Sequence, residues 1–137
     1  MTQQAQYSGA TPMSIWLRKQ DALSSRDGYV CSDIDYFWRN FKDKHYMFLE
    51  EKCRMSKPTR NQWELLIAEN VVHKRYGSQQ FCGVHIIQFE NESPTDGKIY
   101  VDGTEVTEEE LIQFLQFKGP LCKIKSMAKL RRRIGDK

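Results

Sequence analysis

The stretch Tyr29–Met55, YVCSDIDYFWRNFKDKHYMFLEEKCRM, decides the fold, because both of its ends alternate with the period of a β-strand. Between Tyr29 and Trp38, one face carries Val30, Ile34, Tyr36 and Trp38, and two aspartates fall on the less apolar face. The same alternation returns from His45 to Met55, after the polar connection Arg39–Lys44. We therefore predict two strands that pair as a hairpin.

The sequence on both sides of this hairpin predicts helices and further strands. Capping residues, prolines at first helical positions and an Asp-Gly turn supply the boundaries. The predicted elements are a helix that begins at Thr11-Pro12, a helix over Arg60–Tyr76, a strand over Phe81–Phe89, a short hairpin over Ile99–Val106 and a helix after the capping box Thr107–Glu110. The strand over Phe81–Phe89 is almost continuously apolar, which is typical of a strand buried on both faces. This order favours a mixed α/β (α+β) fold, a central mixed sheet flanked by helices.

Length and composition indicate one folded domain. The chain has 137 residues, of which 39% are hydrophobic and 12% aromatic, enough for a single core and too few for two. It contains no apolar run of membrane-spanning length, and its first ten residues lack the features of a signal peptide. The four cysteines form no close pair, which argues against a zinc site and favours free thiols in a reducing compartment. We therefore expect a soluble cytoplasmic protein.

The formal net charge of +3 conceals a strong alternation along the chain. Residues 77–117 carry one Lys or Arg against eight Asp or Glu, whereas residues 118–137 carry eight against one. We predict a disordered N-terminus over residues 1–10, a domain over residues 11–117 and a basic C-terminal tail over residues 118–137. A cationic tail after an acidic stretch is compatible with binding to nucleic acid, although charge runs also occur on solvated faces.

Candidate chemistry is concentrated on the predicted hairpin. Asp35 lies on the first strand, and Glu50 and Lys52 share a face of the second, so pairing brings the three side chains to one surface. Two carboxylates are a sufficient protein contribution to a Mg²⁺ site, which is completed by water, carbonyl and phosphate oxygens. Such a metal assists phosphodiester hydrolysis, with Lys52 orienting the water or offsetting charge on the phosphorus. The alternative interpretation is an ordinary ladder of surface charges.

This context resembles the PD-(D/E)xK nuclease superfamily. The resemblance covers residues 11–89, with Asp33-Ile34-Asp35 on one strand and Glu50-Glu51-Lys52 on the next. It implies a restriction-endonuclease-like core of the α-β-β-β-α-β type and Mg²⁺-dependent cleavage of DNA, with Mn²⁺ able to replace Mg²⁺. It further implies that Asp35, Glu50 and the backbone carbonyl of Glu51 bind the metal and that Lys52 is catalytic. Asp33 is the alternative metal ligand, and Gln62 resembles the polar helix residue that many members direct at the site.

Two features depart from the superfamily pattern. The proline that names the motif is absent, because Ser32 precedes Asp33 and Ile34 precedes Asp35. No glutamate occurs before Glu50, so the first helix cannot supply one, as it does in some members. The resemblance implies a small stand-alone endonuclease of the phage or viral type, or a junction resolvase. Resolvases act on DNA with two active sites, so a homodimer is the expected partner state.

The basic tail has two interpretations. Apolar residues at spacings of three or four, from Leu121 to Ile134, predict a helix with one apolar stripe. This helix would present cations that bind DNA phosphates, or the segment could be a solvated and partly disordered end. The candidate nucleic-acid-binding residues are Lys123, Lys125, Lys129, Arg131, Arg132 and Arg133. A non-enzymatic nucleic-acid-binding or protein-interaction module that uses this tail is the alternative function.

Overall fold

A five-stranded mixed sheet lies at the centre of a computed structural model that describes residues 12–29, 34–76 and 80–135. The chain divides into two units, Met1–Cys31 and Ser32–Lys137. Within the first unit, helix α1 spans Pro12–Arg18, which confirms the helix predicted at Pro12. Two short 3-10 helices follow at Asp21–Leu23 and Ser25–Asp27. The predicted disordered segment over residues 1–10 lies outside the described residues.

The second unit contains the sheet and three helices. Its strands lie in the order β1-β2-β3-β4-β5, with β2 and β3 parallel and the other neighbours antiparallel. Helix α2 makes the crossover between the two parallel strands, as parallel pairing requires. The elements are β1 Tyr36–Arg39, β2 Tyr46–Lys52, α2 Arg60–Tyr76, β3 Phe81–Phe89, β4 Ile99–Val101, β5 Thr104–Val106, α3 Glu108–Leu115 and α4 Met127–Ile134. The mixed α/β fold with helices packed on a mixed sheet is thereby confirmed.

The sheet is covered on both faces, so its core is divided in two. One cluster joins Leu49 and Phe89 to Phe114 of α3, and the other joins Val84 to Trp63 of α2 and to α4. Strand β3 supplies buried residues to both clusters, which explains its nearly continuous apolar sequence. The prediction that this strand is buried on both faces is therefore confirmed.

Several predicted elements are confirmed with their boundaries. Helix α2 and strand β3 span the predicted residues, and the β4–β5 hairpin turns at Asp102-Gly103, where both residues have positive φ. This is the backbone conformation that Asp-Gly turns supply in tight hairpins. Thr107 and Glu110 form the predicted capping box at the start of α3.

The two strands of the first hairpin are shorter than predicted. The pairing is antiparallel, as expected, but β1 begins only at Tyr36, and residues 30–33 of the predicted strand lie outside the described residues. Strand β2 ends at Lys52 rather than Met55. Arg54 and Met55 have φ of 53° and 56°, and their backbone N–H groups donate to the carbonyls of Asn91 and Phe89. Because left-handed residues cannot continue a strand, the chain leaves the sheet immediately after Lys52.

The segment predicted as a basic tail contributes to the core. Met127, Leu130 and Ile134 are buried against α2 and β3, so the apolar stripe of α4 packs on the sheet. The helix spans only Met127–Ile134, and residues 119–126 reach it without regular structure. Gly83 lets this segment approach β3, since a Cβ on Gly83 would lie 2.7 Å from the Lys123 carbonyl oxygen. No helix among the described residues is long and apolar enough to cross a membrane.

Candidate active site

The carboxylates and lysine singled out on the hairpin lie close together at the ends of β1 and β2. Tyr36 pairs with Leu49, so the preceding residue, Asp35, lies opposite Glu50. An Asp35 carboxylate oxygen accepts a hydrogen bond from the Glu51 N–H at 2.8 Å. The Lys52 Nζ lies 3.7 Å from a Glu50 carboxylate oxygen. The hairpin therefore assembles an acidic pair beside an ammonium group, while Asp33 lies outside the described residues.

Glu50 is the most unusual member of this group. It is 2% exposed, and its Oε1 has no hydrogen-bond partner. Burial, with the nearby Asp35 carboxylate, raises the pKa of Glu50 to about 7, although Lys52 acts in the opposite direction. A buried carboxylate beside a second carboxylate is destabilised by desolvation and by repulsion, and either a bound proton or a cation relieves both. The Lys52 ammonium supplies part of this relief for Glu50.

The donor set fits Mg²⁺ with a small protein contribution. Asp35 and Glu50 supply hard carboxylate oxygens, and Mg²⁺ usually retains several waters or phosphate oxygens. Among the residues that the structure describes, no group of three or more His, Cys, Asp or Glu side chains is placed to hold a metal ion. The unpartnered Oε1 of Glu50 supports a cation site at this position. The remaining ligands would have to come from water, from backbone or from a substrate.

The Glu51 side chain points away from Glu50. Its carboxylate accepts a hydrogen bond from the Tyr36 hydroxyl at 2.9 Å, on the sheet face covered by α3. This bond, followed by burial, raises the pKa of Tyr36 to about 12, so the phenol remains a donor. Alternation along β2 thus separates Glu51 from the acidic pair, and only its backbone carbonyl could contribute there.

Gln62 has a structural role at the start of α2. Its Oε1 accepts a hydrogen bond from the Thr59 N–H at 2.9 Å, and its own N–H donates to the Thr59 hydroxyl at 3.2 Å. This reciprocal pair is a capping box. The described contacts of Gln62 therefore belong to the helix terminus rather than to the carboxylates.

The C-terminal cations do not share one surface. Lys123, Lys129 and Arg133 surround a cleft of about 500 Å³ beside Thr104 of β5. Arg131 lies over the Trp63 ring, with its guanidinium carbon 5.7 Å from the ring centroid. Arg132 lines a different groove, of about 630 Å³, that also includes Ile67. Four of the six predicted cations therefore line one cleft, with Lys125 directed partly inward, whereas Arg131 and Arg132 lie elsewhere.

Lys125 belongs to a buried polar cluster that the sequence did not reveal. Its ammonium contacts the carboxylate of Asp102 and donates to the Leu121 carbonyl at 2.6 Å. Asp102 also accepts from the Ile86 N–H at 2.8 Å and lies 2.7 Å from Nδ1 of His85. Burial alone would raise the pKa of Asp102, but His85 and Lys125 outweigh it and lower the pKa below its usual value.

His85 completes this cluster from the middle of β3. Its Nε2 lies 2.7 Å from the Cys82 carbonyl, which can only accept, and its Nδ1 faces the Asp102 carboxylate. Both ring nitrogens therefore have polar partners inside the core, which fixes the orientation of the imidazole. Sequence analysis did not predict this cluster, because His85 lies in an apolar run and Asp102 was interpreted only as part of an Asp-Gly turn. A histidine inside a fully buried strand, which requires polar partners, is the signal that could have found it.

Comparison of the chain with family models, with curated proteins and with solved structures finds no match. The functional argument therefore depends on the site itself. Two carboxylates beside an ammonium group can bind a divalent cation, position a water and stabilise negative charge that develops on a phosphate. The cationic cleft can bind phosphate groups by charge.

Proposed function

We propose that the chain is a Mg²⁺-dependent deoxyribonuclease of the PD-(D/E)xK type, an endonuclease that hydrolyses DNA phosphodiester bonds. The observation that carries the proposal is Glu50, a buried acid with an unpartnered oxygen, beside Asp35 and Lys52. A buried carboxylate with an unpartnered oxygen lowers the stability of the fold relative to an apolar side chain at position 50, because the charged group loses its hydration. Stability therefore does not explain why Glu50 is present. A bound cation gives the two carboxylates a function.

The proposed roles follow from where each group lies. Asp35 and Glu50 would hold the metal, with the Glu51 carbonyl as the further ligand that the superfamily resemblance implies. A bound Mg²⁺ supplies Lewis-acid polarisation of a phosphate and a lowered pKa of its water. Lys52, close to Glu50, is placed to orient the attacking water or to offset charge on the phosphate. Gln62 could act only if its side chain left the cap of α2.

The order of elements supports a restriction-endonuclease-like core as part of this proposal. An antiparallel hairpin carries the acidic residues, helix α2 follows, and β3 returns parallel to the strand of Glu50 and Lys52. The α-β-β-β-α-β core that the resemblance implies also ends in strand, helix, strand, but it has three strands before this helix, whereas the described residues form two, β1 and β2. The substrate would then be DNA at the edge of the sheet where β1 meets β2.

A cleavage assay with matched variants tests the proposal. Supercoiled plasmid and a four-way junction are incubated with the protein in Mg²⁺ and in EDTA. We expect nicking only in Mg²⁺, reduced at least about 100-fold in Glu50→Gln and in Lys52→Met. Glu105→Gln and Lys98→Met change exposed residues of the same types outside the β1–β2 hairpin, and these variants should cleave normally. Plasmid that stays intact with folded protein, or cleavage that both hairpin variants retain, would refute the proposal.

A second candidate function is a non-enzymatic nucleic-acid-binding module. The specific observation that favours it is the cleft around Lys123, Lys129 and Arg133, which needs no contribution from the carboxylates. In this case the protein shifts DNA on a gel in EDTA, and no lane of the cleavage assay shows nicking. Both functions predict that the protein binds DNA, so only the cleavage assay distinguishes them.

A further inference from the structure

An apolar cavity of about 190 Å³ lies between the hairpin and α3, on the face opposite Glu50. Tyr36 and Trp38 of β1, Phe89 of β3 and Leu115 of α3 contribute to its walls. Tyr36 is 48% exposed and Trp38 is 40% exposed, so the cavity reaches solvent at the edge of the sheet. Its volume is below the roughly 300–1,000 Å³ of sites for drug-sized ligands. It therefore suits a single ring system.

Both aromatic walls are held in place by hydrogen bonds. The Tyr36 hydroxyl donates to Oε1 of Glu51 at 2.9 Å, and the Trp38 indole N–H donates to the Leu115 carbonyl at 2.8 Å. Each bond restricts rotation of its ring, so the binding surface is ordered before a ligand arrives. Flat rings fixed in this way favour a planar ligand that stacks on them.

Glu51 gives the cavity one hydrogen-bond acceptor of high charge. Its Oε1 accepts from Tyr36, whereas its Oε2 has the Cys53 thiol at 3.9 Å, a long contact from a weak donor. Oε2 therefore retains the capacity to accept a stronger hydrogen bond. An amino group on the edge of a planar ring is the complementary donor.

A second cavity, of about 370 Å³, adjoins the first and shares Trp38 and Leu115 with it. Arg39 and Lys118 line this cavity, together with a single carboxylate, that of Asp43. The charge around it is therefore positive by one unit. A ligand that extends from the apolar cavity past Trp38 would carry its anionic group to Arg39 and Lys118.

We propose that these two adjoining cavities bind a nucleotide whose base carries an exocyclic amino group. The base stacks between Tyr36 and Trp38 and donates to Glu51, and the phosphate lies between Arg39 and Lys118. A planar ring, an amino donor and an anion occur together in adenine and cytosine nucleotides. The proposal does not depend on the nuclease activity, because the side chains of Asp35, Glu50 and Lys52 take no part in this site.

Calorimetric titration of the full chain with dAMP in EDTA tests this site without a metal-bound contribution from Asp35 and Glu50. We expect dAMP to bind roughly tenfold more tightly than dTMP, which lacks the amino group, and than deoxyadenosine, which lacks the phosphate. The Trp38 indole N–H resonance, assigned with Trp38→Phe, should shift on addition of dAMP. This second measurement assigns the binding to the cavity.

Single substitutions separate the two halves of the site. Glu51→Gln can still accept from Tyr36 and should remove the preference for dAMP over dTMP. Lys118→Ser should reduce dAMP affinity to that of deoxyadenosine, and Lys42→Ser, in the turn that follows Arg39 and outside the cavity, should leave it unchanged. Equal binding of dAMP, dTMP and deoxyadenosine would overturn the proposal, as would dAMP affinity that neither Glu51→Gln nor Lys118→Ser alters.

Discussion

At the scale of single residues, Glu50 and Asp102 represent two opposite solutions for a buried acid. Asp102 receives hydrogen bonds or charge from His85, Lys125 and the Ile86 N–H, and its pKa is lowered. Glu50 has one oxygen without a partner, and its pKa is raised to about 7. The first acid stabilises the fold in its charged form, whereas the second is stabilised by a proton or a cation.

The first prediction concerns the stability of Glu50→Gln in EDTA. The Glu50 pKa rises from 4.5 to about 7 on folding, so the folded state holds the proton between these values and stability falls as pH rises through them. We expect Glu50→Gln to exceed the native protein in unfolding free energy by up to about 3 kcal/mol at pH 8 and to match it at pH 4. Urea unfolding at both pH values measures the difference.

Addition of Mg²⁺ at pH 8 extends this prediction. A cation that binds only the folded state raises the stability of the native protein by mass action, and this increase should be absent in Glu50→Gln. Glu105→Gln is the control for a general effect of removing a carboxylate. Lower stability of Glu50→Gln at pH 8 would show that the Glu50 charge serves mainly as a partner for Lys52.

The second prediction concerns Asp102→Asn. Removal of this charge leaves the Lys125 ammonium without its buried counter-ion and weakens the contact with Nδ1 of His85, so we expect a loss of about 3–5 kcal/mol at pH 7, measured by urea unfolding. The pKa of Asp102 is lowered on folding, so its contribution is complete above the unfolded pKa and is lost as pH falls toward the folded value. The native protein should therefore lose more stability than Asp102→Asn below about pH 4. Parallel pH profiles would contradict the assignment.

At the scale of elements, the termini of helices are well specified by local sequence. Thr59 and Gln62 form a capping box at α2, as Thr107 and Glu110 do at α3. Strand ends are specified less well, because β2 stops where tertiary hydrogen bonds to Phe89 and Asn91 turn the chain. A helix cap depends on neighbours three residues away, whereas a strand end depends on a distant partner.

The third prediction separates the two roles considered for Gln62. Gln62→Ala removes the reciprocal bond to Thr59 and should cost about 1 kcal/mol in thermal or urea unfolding. Gln62→Glu keeps an acceptor at the same position and should restore stability. If Gln62 serves only to cap α2, both variants should cleave plasmid at the native rate under conditions where they are folded. A loss of cleavage in a stable Gln62→Glu protein would instead support a catalytic role.

At the scale of the whole molecule, the C-terminal segment joins the core and the charged surface. Its apolar side, Met127, Leu130 and Ile134, is buried, while Lys123 and Lys129 line the cleft beside β5. The ion pair between Lys125 and Asp102 holds the segment before α4 against the β4–β5 turn. Cations that are fixed to a folded surface can bind phosphates at lower entropic cost than those on a disordered tail.

The fourth prediction concerns the salt dependence of DNA binding. In a Glu50→Gln background, which prevents cleavage, duplex affinity is measured against salt concentration by anisotropy in EDTA. Substitution of Lys123 and Lys129 by Ser should make the slope of log K against log salt shallower by about two. The same change at Lys74 and Lys98, two exposed lysines outside the cleft, should leave the slope unchanged. Equal slopes in all three proteins would exclude the cleft as the phosphate-binding surface.

The sequence by itself determined the element types, the hairpin that carries Asp35 and Glu50, and the boundaries of α2 and β3. These depend on periodicity and capping, which are local properties of the chain. Only the tertiary structure decided that Glu51 faces Tyr36 and that Lys125 turns inward to Asp102 and His85. Each of these contacts joins side chains whose packing depends on the whole fold, so residue type and spacing could not specify it.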